Sequence, residues 1–144
     1  SLDVRPNVTL PDMITLKALL THRFEAMTDY YKTVIKPTVR EQSNAERPRR
    51  FGAMPRRRLR RALANGGRWL DQNGKARLAA AVENRPRLQQ ISEYRARLAA
   101  LMEQRRPESA LAALQQWCRE AEASGNRKLI EFAARLKRYS VARA

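Results

Sequence analysis

The sequence predicts an all-α protein: an antiparallel bundle of about five to six helices, with a basic linker and a short basic helix in its middle. Three observations carry this. Alanine, leucine, arginine, glutamate and glutamine dominate while glycine is scarce at five of 144 residues, the composition of good helix formers. Apolar residues recur at spacings of three and four, the signature of one helical face. Prolines and glycines fall between these stripes, where helices start and stop. Hydrophobic residues are 43% and charged residues 31% of the chain, enough apolar content for a core and against wholesale disorder.

The elements follow in order. Residues 1–11 read as an extended lead-in, since Pro6 and Pro11 oppose helix. Asp12 stands where a capping side chain opens a long first helix over 12–42. Leu16, Leu20, Phe24, Met27, Tyr31 and Val34 are its expected inward face, with Tyr30 wet and Pro37 kinking or ending it. Residues 43–54 show no period and read as linker. Pro55 opens a short helix that Gly66 and Gly67 stop. Asp71 caps the next segment, whose Leu78 and Val82 share a face. Pro86 opens a near-heptad stripe of Leu88, Ile91, Tyr94 or Arg95, Leu98 and Leu101 or Met102. Pro107 begins a helix with Leu111, Leu114, Trp117, Cys118 and Ala121 inward, closed by Gly125. The last helix turns Leu129, Ile130, Ala133, Leu136 and Tyr139 inward. Basic linker and short helix thus fill 43–70, and the bundle 71–144.

Charge is the strongest polar signal. Thirty Lys and Arg against 14 Asp and Glu give +16, which points to a polyanionic partner or surface. The excess is centred: residues 47–70 hold nine arginines and no acid. Within "RPRRFGAMPRRRLRR", Arg56, Arg57, Arg60 and Arg61 fall on neighbouring faces of one helix and Leu59 and Leu63 on the other. Arg49, Arg50, Arg56, Arg57, Arg60, Arg61 and Arg68, with Trp69, form the candidate anion-binding set; a tryptophan so placed more often anchors a loop on the core, and otherwise serves as a base-stacking or interfacial ring. Three uses compete for it: a membrane or partner surface, DNA, and a solvated linker.

Catalytic constellations are not found. His22 is the only histidine and Cys118 the only cysteine, so neither a histidine-based metal site nor a zinc set can be completed within the chain. His22 reads as a helix-surface residue. Glu120 and Glu122 are two apart on a helix and point to different sides. No phosphate-binding glycine motif occurs. A lone cysteine fits a reducing compartment, and no apolar run is long enough to span a bilayer. Ser1 is not a methionine, so the chain is expected to be a piece of a longer protein.

Two blocks carry a resemblance. "LPDMITLKALLTHRFEAMTDYYKTVIKP" (10–37) and the stretch 88–141, with "EYRARLAAL", "ALQQWCREAEASG" and "IEFAARLKRY", resemble the C-terminal cytosolic extension of bacterial integral-membrane fatty acid desaturases. The second block also resembles the C-terminal helical part of insertion-sequence transposases with an RNase H-like nuclease core. The desaturase resemblance implies a di-iron oxidoreductase parent whose histidine boxes are absent here. The chain would then be a non-catalytic accessory domain, cytoplasmic, at the inner-membrane face, touching anionic lipid, the membrane core or a partner, and holding no cofactor itself. The transposase resemblance implies a helical appendage that contacts nucleic acid, its catalytic acids lying in a nuclease core with strands. Either arrangement admits a homodimer through the near-heptad stripe.

Overall fold

The computed structural model describes residues 10–46, 51 and 54–139. The described residues form eight α-helices and one π-helical turn: α1 (Met13–Thr21), α2 (Arg23–Tyr30), the π-turn (Tyr31–Ile35), α3 (Lys36–Glu46), α4 (Arg56–Ala64), α5 (Gln72–Val82), α6 (Pro86–Met102), α7 (Pro107–Ala123) and α8 (Arg127–Lys137). Phe51 and Met54 pair in an isolated antiparallel bridge, the one extended pairing among the described residues. The all-α class expected from the sequence is the observed one. Most of the lead-in, Arg49 and Arg50 lie outside the described residues.

The chain divides into two compact units, Ser1–Ala26 with Leu98–Ala144, and Met27–Arg97. The boundaries fall inside α2 and α6. In the first unit α7 packs on α8, and α1 packs on both. Trp117, Phe132, Leu114, Leu129, Leu16 and Leu19 are fully buried there, and the Trp117 and Phe132 rings meet edge to face at 6.0 Å. Local chemistry sets the helix ends. Asp12 accepts from the Thr15 N–H at 2.9 Å and caps α1. Pro107 occupies the first turn of α7, where its missing N–H costs nothing. Gly125 takes φ +75° after α7, and Asn126 accepts from the Lys128 N–H at 3.0 Å to cap α8. His22 bonds Glu25 at 2.7 Å on the half-exposed surface, as a helix-surface histidine does.

The second unit is built on the π-turn, α3, α4 and α5, with α4 contacting all three. Its core holds Tyr30, Val34, Ile35, Val39, Leu59, Leu63, Leu88 and Ile91. Glu46 and Arg85 clasp it: Arg85 donates Nε and Nη2 to the two carboxylate oxygens at 2.8 and 2.7 Å, donates Nη1 to the Ala81 carbonyl at 2.6 Å, and stacks over Phe51 at 5.1 Å. This fork-to-fork geometry is the strong form of an ion pair, and the hydrogen bonds that Arg85 donates to Glu46 raise its pKa.

The first helix departs from its expected course. A turn at His22 separates α1 from α2, and the π-turn precedes Pro37, with the Lys36 N–H reaching back to the Tyr31 carbonyl. Proline lacks an N–H and its ring clashes with the carbonyl one turn earlier. The extra residue of a π-turn opens that space, so the helix passes through Pro37 and runs on to Glu46. That leaves 43–46 helical where linker was expected. These two slips also rotate the apolar stripe and raise the helix count above five or six. Phe24, expected inward, is 83% exposed. Tyr30, expected wet, is fully buried and donates its hydroxyl to the Ile91 carbonyl at 2.5 Å, while Tyr31 is only half-buried. Burial drives the Tyr30 pKa upward, so the phenol stays a donor. Tyr30→Phe is expected to cost about 1 kcal/mol, the net worth of one such bond. A urea melt reads it as a lower midpoint with unchanged slope; an unchanged midpoint would show the bond to be idle.

Candidate nucleic-acid interface

The site grows from helix α4. Pro55 precedes it in extended geometry, at φ −64° and ψ 155°. Leu59, Ala62 and Leu63 follow at helical spacing and are buried. That fixes the opposite face, where Arg56, Arg57, Arg58 and Arg61 are exposed. The first turn of α4 carries three arginines at the positive end of the helix dipole, a concentration of positive charge that an isolated helix resists. The buried leucines hold it in place.

The end of the helix makes the site concave. Gly66 and Gly67 take φ +71° and +74°, a region that residues with a Cβ enter at a cost. The Gly67 N–H bonds the Ala62 carbonyl at 2.8 Å and the Asn65 side-chain oxygen at 3.0 Å. This tight reversal folds residues 68–70 back beside α4. The result is a groove of about 430 Å³. Arg57, Arg58, Arg61 and Asn65 form its polar lining, and Pro55, Ala62, Trp69 and Leu70 its apolar lining. Trp69 is 76% exposed, with the Arg68 guanidinium 5.4 Å from its ring centre. Arg95 adds charge nearby: burial first, then the Arg68 charge, lowers its pKa.

The structure therefore brings Arg57, Arg61 and Trp69 together around one groove, with Arg68 against the tryptophan. Arg56 is exposed on the same helix. Arg60, expected on this face, lies apart from the groove, is only half-exposed, and has its Nε buried without a hydrogen-bond partner. Arg58, which the sequence did not single out, lines the groove in its stead. The reason is rotational. At about 100° per residue, Arg58 and Arg60 sit on opposite flanks of the outward face, and the glycine turn returns the chain along the Arg58 flank. Only the helical wheel was readable in advance; the direction of the turn was not.

The surrounding charge has one sign. The unit Met27–Arg97 contains eighteen Lys and Arg against six Asp and Glu, a net +12 of the chain's +16, and no acid lines the groove. Such a field draws polyanions over a Debye length of about 8–10 Å. Among the described residues, no three His, Cys, Asp or Glu gather to hold a metal ion. Cys118 is buried, with its thiol pushed up to about 12 by desolvation and then by Glu122, which keeps it protonated and unreactive. Among the described residues no helix is long and apolar enough to cross a membrane.

Comparison with known proteins gives one result. Residues 10–142 match the family model described as transposase, of the DDE ISL3 type. No curated protein and no solved structure matches the chain. The desaturase resemblance, with its di-iron parent and its membrane-face location, gains no support from these findings.

Proposed function

This chain belongs to the ISL3-type family of transposases, and from that premise we propose that the α4 face and the turn after it form a nucleic-acid contact surface of such an enzyme. The observation that carries this reading is the acid-free arginine cluster around the groove of α4, inside a unit of net charge +12. Arginine offers a planar fork of donors that matches phosphate oxygens. Arg57, Arg58 and Arg61 hold backbone phosphates, and Arg56 extends the track toward the start of the helix. These contacts give affinity and register without sequence choice.

The test is the salt dependence of binding. Each phosphate neutralised on duplex DNA contributes about −0.9 to the slope of log K against log salt. The variant carrying Arg57→Ala, Arg58→Ala and Arg61→Ala is expected to bind with a slope shallower by about 2.7, read by fluorescence anisotropy over a salt series. A slope equal to that of the unaltered chain would remove these arginines from the interface.

A further inference from the structure

Phosphate contact accounts for half of the groove and leaves the other half unexplained. Pro55, Ala62, Leu70 and Trp69 make an apolar lining that a track for duplex backbone does not need. Trp69 is the sharpest part of this. The chain has two tryptophans; it buries Trp117 completely and leaves Trp69 76% exposed, beside the densest cluster of positive charge in the sequence. An indole left in water forgoes a large burial energy. The Arg68 guanidinium lies 5.4 Å from its ring centre, and the groove it lines is about 430 Å³, a size that suits a small flat organic group.

Resting on the nucleic-acid reading above, we infer that this groove takes an unpaired nucleotide, its base stacked on Trp69 and its flanking phosphates held by Arg57, Arg58 and Arg61. The chemistry of a nucleotide matches the lining on each side. The faces of the base are apolar and polarisable and suit an indole with a guanidinium behind it. The edge of the base is polar, and Asn65 stands in the lining with its carbonyl oxygen engaged by Gly67 and its NH₂ left as the donor. The phosphates meet cations. A base inside a duplex is already stacked and paired, and reaches such a groove only after extrusion, which costs a few kcal/mol. The substrate class is therefore single-stranded nucleic acid, or the frayed and unpaired ends of a duplex, in preference to intact duplex.

The experiment uses the full chain with an oligothymidylate of about 12 nucleotides and a mixed-sequence duplex of the same length. Trp117 is fully buried and supplies a constant background, so a change in emission reports on Trp69. The single strand is expected to quench it and the duplex to leave it nearly unchanged. Trp69→Ala, at an exposed position, should weaken the single strand about tenfold or more and the duplex less than about twofold, with Trp69→Phe restoring most of the loss. Absence of quenching, or equal effects of Trp69→Ala on both ligands, overturns the unpaired-base assignment and leaves the arginine surface standing. Failure to bind either nucleic acid, with binding to phosphatidylglycerol vesicles, overturns both.

Discussion

Trp117→Ala is expected to cost about 3–5 kcal/mol of stability, the range for removing a fully buried large aromatic ring, out of the 5–15 kcal/mol that holds a typical domain together. The ring is wholly inaccessible, packed edge to face on Phe132, and shares the buried face of its helix with Leu114, Cys118 and Ala121. Alanine would leave a cavity that α1, α7 and α8 must collapse to fill. Two costs add: the lost transfer energy of the indole and the contacts its neighbours lose. A chemical melt followed by far-UV circular dichroism measures the sum. The companion change Trp69→Ala removes the same side chain from an exposed position and should move the midpoint by less than about 0.5 kcal/mol. A Trp117→Ala loss below about 1 kcal/mol would mean that the ring is not part of the core.

The largest effect on binding comes from reversing charge on α4. The triple variant Arg57→Glu, Arg58→Glu, Arg61→Glu removes three cations and adds three anions around one groove. Loss of three phosphate contacts alone corresponds to about 500-fold in affinity at 0.1 M salt, and the added repulsion deepens it. All three side chains are exposed, and the buried face of α4 consists of Leu59, Ala62 and Leu63, so the fold should survive. An unchanged far-UV spectrum with binding reduced less than about tenfold would place the contact surface elsewhere.

Much of the fold was legible because its punctuation is local. Asp12 and Asp71 cap helices from their own side chains, Pro107 opens one, and Gly66 and Gly67 end another at positive φ. None of these needs a distant partner. The errors came where a local rule was extended across a slip in phase. A single helical period drawn through 12–42 places Tyr31 inside and Tyr30 outside, whereas the turn at His22 and the π-turn before Pro37 reverse the pair. The clasp of Arg85 on Glu46 joins residues 39 apart, and no spacing rule reaches that far. The candidate site divides the same way. An arginine face opposite Leu59 and Leu63 was readable from a helical wheel. The groove was not, because it exists only once the glycine turn sets Trp69 beside Arg58.

The central claim is that the α4 surface, rather than overall positive charge, holds nucleic acid. It is tested most directly by comparing the α4 triple reversal with an equal reversal at Arg105, Arg119 and Arg127, exposed residues of the other unit. Both variants carry the same net charge, so any difference in their affinity for one oligonucleotide at one salt concentration reports on position. The account predicts that the α4 variant loses binding by two orders of magnitude or more, about the effect of three phosphate contacts, while the control stays within about fivefold of the unaltered chain. Equal losses in the two variants would contradict it.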